Sequence, residues 1–232
     1  MSSVVAIVVI GTWACAQTAW LALDLPWAWA PAIVLAQTFL HTGLFITAHD
    51  AMHGTVAPAH PRWNHALGRV AVALYTAFPN GTLLPAHHAP HRAPATPDDP
   101  DFHRGNPSLW GWYRDFLGGY LSWKQILIMA AAFNVLVHVL GVPEPRALVY
   151  WVLPSLLSTV QLFYFGTWRP HRTPPAGHAD HHRASSEVWP GWMMFLTCWN
   201  FGLHHEHHLR PGVPWWRLRR APGRAHGGGV GP

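Results

Sequence analysis

Apolar residues run in long blocks along this chain, and polar positions collect between them. Val4–Leu23 is long enough to cross a bilayer once, which takes about twenty residues. Asp24, Leu25 and Pro26 form a short turn. Trp27–Thr47 is a second block, with Pro31 near its start, where proline is tolerated. The two predict a helical hairpin, so the segment after Thr47 emerges on the side of the N-terminus. Ala66–Phe78 is apolar but too short to span, which predicts a re-entrant or interfacial helix. Residues 104–120 mix Arg, Trp, Tyr and Gly, as an interfacial helix does. Trp123–Val142 predicts a third span, 143–146 a tight turn, and Leu148–Trp168 a fourth span broken by Pro154. Val188–Leu203 is apolar but short and contains Pro190 and Gly191. It predicts a helix lying on the membrane or dipping into it.

The expected fold is an all-α integral membrane protein. It has four transmembrane helices in two hairpins, interfacial helices, and a cytoplasmic histidine-rich cap. One domain covers 1–218. Residues 219–232 are basic and then glycine-rich, a composition that predicts disorder.

Composition supports a membrane location. Half of the residues are hydrophobic and 11% are charged, against roughly 25% charged in soluble domains. Trp is over-used, and indoles favour the membrane–water interface. No basic residue precedes the first apolar run, so a retained span is expected rather than a cleaved signal. The basic excess comes from 14 Arg and one Lys. Four spans put all of them on one face except Arg146 and, near a boundary, Lys124. By the positive-inside rule that face is cytoplasmic. Nothing resembles a nucleic-acid module. Cys15 and Cys198 form no CxxC pair, which argues against a thiolate zinc site or a disulfide scaffold.

Histidine is the unusual residue, at 19 of 232, and most of it crowds into three polar boxes beside apolar segments. His49 and His53 are four apart, one face of a continuing helix. His87 and His91 repeat that spacing, and His88 can join at three from His91. His204, His207 and His208 fall at i, i+3 and i+4, with His205 about a quarter-turn away. His171 and His182 lie in or near the loop after the fourth span. A tetrahedral zinc takes about four ligands, so the boxes hold too many candidates for one ion, and two ions fit better. An imidazole shell suits iron, zinc or copper rather than calcium or magnesium. His41 and His138, inside spans, read as hydrogen-bonded core residues. His60, His65, His103, His178 and His226 read as solvated. Asp50, Asp98, Asp99, Asp101, Asp180 and Glu206 sit beside candidate ligands, and with His205 they are candidates to brace ligating imidazoles. The run 205–209 is no HExxH metalloprotease site, because its fifth position is Leu209.

Four motifs carry a family resemblance: HDAMHG at 49–54, DDPDF at 98–102, FGTW-x-PHR at 165–172, and HHEHHL-x-P with VPWWRL across 204–218. Together they resemble the bacterial β-carotene 4-ketolases, within the membrane fatty-acid-desaturase-like family of histidine-rich di-iron enzymes. The resemblance runs from about residue 4 to 218. It implies oxygen insertion at the allylic C4 methylene of a β-ionone ring, by two hydroxylations and loss of water from a geminal diol. β-Carotene and zeaxanthin are the implied substrates, and canthaxanthin- or astaxanthin-type ketones the products. The implied cofactors are two irons and O2, with electrons from a soluble donor such as ferredoxin. The implied location is a bacterial inner membrane. The second box departs from the family pattern: Pro90 and Ala93 stand at histidine positions, and His88 occupies an apolar one. His182 matches a family histidine, while His181 replaces an Arg.

The chemistry is consistent with this. An unactivated C–H bond has no leaving group and no acidic proton, so acid–base side chains cannot cleave it, whereas a redox metal with O2 can. A very apolar polyene would arrive from the bilayer between spans. Phe163, Tyr164, Phe165 and Trp168 are the candidate tunnel wall. The competing readings are a carotenoid hydroxylase or lipid desaturase with the same chemistry, and a non-catalytic metal carrier. The second needs polar groups through the spans, and few are present.

Overall fold

The computed structural model describes residues 1–78, 84, 87, 108–174, 177, 178 and 180–220. Outside them lie His88, Pro90, His91, Ala93, Asp98, Asp99, Asp101, His103, His226 and the 221–232 part of the expected tail. The described residues form helices and turns, with no strand.

Helix α1 is Ser2–Ala22. A tight turn at Trp27–Trp29 leads into α2, Ala30–Met52, with a proline in its first turn. α3 is Pro61–Thr76 and α4 Leu109–Tyr120. α5, Trp123–Asn134, is carried to Val139 by a wide π-helical turn. α6 is Glu144–His171, α7 Gly191–Cys198 and α8 His204–Leu209.

Three segments, α1, Trp27–Met52 and α6, are long and apolar enough to cross a membrane. α4 and α5 make a fourth only if counted together across their 84° bend. The expected third span, 123–142, is therefore shorter than predicted. It ends at Val139, beside Gly141 in the left-handed region with φ 71°. Pro154 does not break α6. The helix widens into a π turn at Leu148–Val152 just before it, which accommodates a residue without an N–H. The apolar stretch at 188–203 forms a helix only over Gly191–Cys198, because Trp199 and Asn200 turn left-handed and stop it.

α1 and α2 run antiparallel. Ser3 Oγ at the start of α1 donates to Val56 O just past the end of α2, at 3.0 Å. At the opposite end Arg146 donates to Asp24 Oδ1 at 2.6 Å, tying α6 to the α1–α2 turn. Polar side chains inside the spans pair with one another, as they must where no water competes. Trp20 Nε1 donates to Gln37 Oε1, Gln37 Nε2 to Gln17 Oε1, and Gln17 Nε2 to Tyr150 O of α6. His41 is the buried core residue expected. It accepts from Trp13 Nε1 at Nδ1 and so donates from Nε2 to Tyr75 O at 2.7 Å. His138, expected in the core, is instead exposed on the π turn that ends α5. The outer surfaces of α1, α5 and α6 carry exposed Val8, Ile126 and Leu156, an apolar surface suited to lipid rather than water.

α3 is amphipathic rather than spanning. Asn64, Gly68, Ala71, Val72 and Tyr75 are buried on one face, and Trp63 and Val70 are exposed on the other. Gly68 permits the close approach to α2: a Cβ there would come 2.6 Å from that of Ala51. Asn64 reinforces it by donating to Ala51 O. This packing holds Tyr75 and Phe78 beside the end of α2, where the histidines begin.

Candidate metal centre

The last turn of α2 delivers the first box. His49 is buried, and His53, one turn on, caps the helix as its N–H reaches back to His49 O. α8 delivers the third box, and α6 ends on His171.

The histidines gather into two groups. His49, His53, His87 and His207 each offer a ring nitrogen, and these nitrogens all lie within 4.8 Å of one another. His171, His204 and His208 form a second group by the same measure. Within the first, His87 Nε2 and His53 Nε2 are 2.6 Å apart. Within the second, His204 Nε2 is 3.2 Å from His171 Nε2 and 3.1 Å from His208 Nε2. Around an ion with bonds of about 2.0–2.1 Å, neighbouring ligand nitrogens stand roughly 3.0–3.4 Å apart. Two of the triad's three pairs have that spacing. Seven imidazoles gathered in two sets fit a pair of borderline transition ions.

α8 splits its histidines between the groups. His204 and His208, one turn apart, serve the triad, while His207 turns to the first group. The expectation of one shared face holds only for His204 and His208. Phe201 stands between the groups, its ring centroid 4.8 Å from His49 and 5.2 Å from His204.

His182 lies outside the triad, its ring centroid 6.4 Å from that of His208. His205 turns away from both groups and bonds Asp180 Oδ2 at 2.7 Å. Asp180 also accepts from the His182 backbone N–H. Burial pushes the Asp180 carboxyl up, but the His205 and His182 contacts outweigh it and hold it below the usual carboxylate range. Burial lowers His182, and the neighbouring His181 adds to this. His178, expected to be solvated, is half-buried, and burial lowers it too. Glu206 bonds the Ser186 hydroxyl, which also accepts from the His205 N–H. Asp50 lies 3.5 Å from His49 Nδ1 through Oδ1 and accepts from the Trp215 backbone N–H through Oδ2, at 3.1 Å. Burial pushes the Cys198 thiol up, so no thiolate is available there as a ligand.

A cavity of about 110 Å³ reaches both groups. Its apolar walls include Phe45 of α2, Tyr75 of α3, Phe116 and Tyr120 of α4, and Leu162 and Gly166 of α6; His49, His87, His204, His207 and His208 line it as well. The four aromatic residues expected as a tunnel wall do not line it. Phe163 packs behind, against Tyr113 and Phe116. Tyr164 stacks on Trp168, and Phe165 meets Trp189. The π turn at Phe163–Trp168 sets which positions face inward, giving that face to Leu162, Gly166 and Thr167. Gly166 carried a legible signal: a lone glycine in an aromatic helical run often marks a close approach. A Cβ there would fall 2.6 Å from Phe201 Cε1.

Residues 24–225 match the family model described as fatty acid desaturase. A beta-carotene ketolase of Paracoccus sp. (strain N81106 / MBIC 01143) is 44% identical over 211 residues, covering 86% of each chain. The beta-carotene ketolase of Paracoccus sp. (strain PC1) is 42% identical over 192 residues, covering 81% of this chain and 78% of its own. A zeaxanthin 4-ketolase of Chlamydomonas reinhardtii is 40% identical over 212 residues, covering 89% of this chain and 47% of its own. The chain thus belongs to the fatty acid desaturase family, in the branch of the β-carotene ketolases.

Proposed function

We propose that this membrane protein is a carotenoid 4-ketolase. The observation that carries the reading is an apolar, aromatic-walled cavity reaching both histidine groups, in a chain whose relatives are ketolases of β-carotene and zeaxanthin.

The ligands are two irons' worth of imidazole. His49, His53, His87 and His207 hold one ion, and His171, His204 and His208 the other. His91, His88 and His182 are the further ligands that the box pattern supplies, with Pro90 marking the departure. Bound iron supplies the O2-dependent oxidation that side chains cannot perform. Electrons come from a soluble donor of the ferredoxin kind. Each of two hydroxylations at C4 consumes one O2, two electrons and two protons and releases one water. The geminal diol then loses water to leave the ketone.

The protein's own residues do the rest. Tyr75, Phe116 and Tyr120 grip the ring and adjoining polyene by stacking and exclude water. Phe201 separates the two groups and fixes the floor of the cavity. Asp180 through His205, Glu206 through Ser186, and Asp50 beside His49 brace the α8 and α2 ends of the ligand set; Asp98, Asp99 and Asp101 are placed by sequence to do the same for the second box. The topology is four spans in two hairpins within one domain, 1–218, followed by a tail whose first residues, Arg219 and Arg220, were expected to be disordered and instead form a turn with Leu218. The histidine-rich cap and both termini lie on the cytoplasmic face of the inner membrane, which the arginine distribution supports.

Expression in cells that accumulate β-carotene tests this. The expected pigment replaces one or two ring methylenes by carbonyls. A hydroxylated or dehydrogenated pigment assigns the site to a hydroxylase or desaturase instead. Unchanged pigment beside folded protein removes the carotenoid reading.

A further inference from the structure

A second groove lies away from the cavity, between α7 and the segment that follows α8. Trp192, Phe195, Asn200, Trp216, Arg219 and Arg220 contribute to it. Its side chains are rich in donors, and two of its buried polar atoms lack partners among the described residues. Trp216 Nε1 is buried and meets no acceptor among the described residues. Asn200 is 7% exposed, and its Oδ1, an acceptor, has no partner either, so it suits a headgroup hydroxyl beside the anion. Buried polar groups left without partners in this way are destabilising unless something fills the site.

The charge is unbalanced in the same place. Arg219 and Arg220 have no carboxylate partner among the described residues, and no Asp or Glu follows Glu206 anywhere in the sequence. Arg219 also packs on Gly191, so tightly that a Cβ there would overlap its guanidinium. Gly191 opens α7, and a helix start carries partial positive charge. A guanidinium pressed on that end calls for an anion beside it.

The surroundings say which anion. Trp192 and Leu196, one turn apart on α7, are 68% and 56% exposed, and Val188 in the extended segment just before the helix is 77% exposed. They form an apolar stripe beside the groove, with an indole at its edge, the arrangement found where a helix lies among headgroups. A free phosphate has no use for that stripe, whereas a phospholipid covers it with an acyl chain while its phosphate fills the groove.

We propose that this groove binds the phosphate of a phospholipid. Arg219 and Arg220 supply charge-assisted bonds, Trp216 donates from Nε1, Asn200 takes the glycerol side of the headgroup, and the acyl chain lies along Trp192 and Leu196. The site docks α7 at the headgroup level, and it does not depend on the ketolase reading.

Native mass spectrometry of the full chain, titrated with phosphatidylglycerol, tests the proposal. The wild type is expected to retain one lipid per chain. R219Q/R220Q should retain at least fivefold less, and W216F, which keeps a ring but loses the N–H, at least twofold less. R217Q, exposed and outside the groove, should match the wild type. Melting temperatures identify a variant that fails to fold, and W216F then decides. Retention by R219Q/R220Q or W216F equal to wild type overturns the site. Loss by R217Q as large as by the double variant reduces it to general basicity, which also overturns it. Displacement of the lipid by an equal concentration of inorganic phosphate assigns the groove to free phosphate and overturns the lipid.

Discussion

His207 and His208 are neighbours in the chain, yet their rings stand 6.0 Å apart at 89° and belong to different histidine groups. Successive residues on a helix point about 100° apart. One short helix therefore feeds both groups and fixes the distance between them.

That division predicts unequal outcomes for two adjacent substitutions. H208A leaves the triad with two of its three described imidazoles, below the roughly three protein ligands that even open sites retain. H207A leaves three in the other group. H208A is expected to lose about one of two bound ions per chain, and H207A less than that. Metal analysis after desalting checks this. Equal loss in the two variants contradicts the division.

Asp180 should matter through His205. D180N removes a charged acceptor that braces the box, and such changes typically lower metal affinity or activity about 10–100-fold. D115N, in an exposed ion pair with Arg114, is expected to leave both near wild type. The pH dependence has a definite sign. The Asp180 carboxyl is held below its usual value, so its contribution is present above the unfolded value of about 3.9 and fades as pH falls through the lower folded value. Acid titration of stability should be shallower in D180N.

Gly166 and Phe201 share one contact. G166A forces a methyl group against the Phe201 ring, 2.6 Å from Cε1, and overpacking of this sort costs about 1–3 kcal/mol. The ring lies beside His49 and His204, so its displacement disturbs both groups. Turnover is expected to fall roughly tenfold, the rate equivalent of about 1.4 kcal/mol, with iron content retained. Wild-type turnover in G166A contradicts the role given to Phe201.

Asp50 joins the end of α2 to the segment after α8 by accepting from the Trp215 N–H. D50A leaves that N–H unsatisfied, at about 1–3 kcal/mol. D50N retains an acceptor oxygen and should recover most of the melting temperature. Thermal unfolding of the two variants separates them, and equal loss contradicts the bond's importance.

Much of this was legible in the sequence, for a physical reason. The spacing of His49 with His53, and of His204 with His208, is a local property of helices, and each pair falls within one group. The length of the first two apolar blocks is equally local. What depends on long-range packing was not legible. Sequence gives no sign that His207 leaves its helix mates for His49, or that Tyr75 and Phe116 line one cavity from different helices. The aromatic run at Phe163–Trp168 looked like a wall, but the π turn there gives the inner face to Leu162 and Gly166. The break expected at Pro154 failed because a neighbouring π turn absorbs it. His138 was placed in the core by its apolar neighbours, while its turn faces outward.

The iron content of freshly purified protein that still converts β-carotene is the most direct test of the two-group centre. The account predicts two irons per chain, falling to about one in H208A. A wild-type preparation that makes the ketone with one iron or fewer per chain contradicts it.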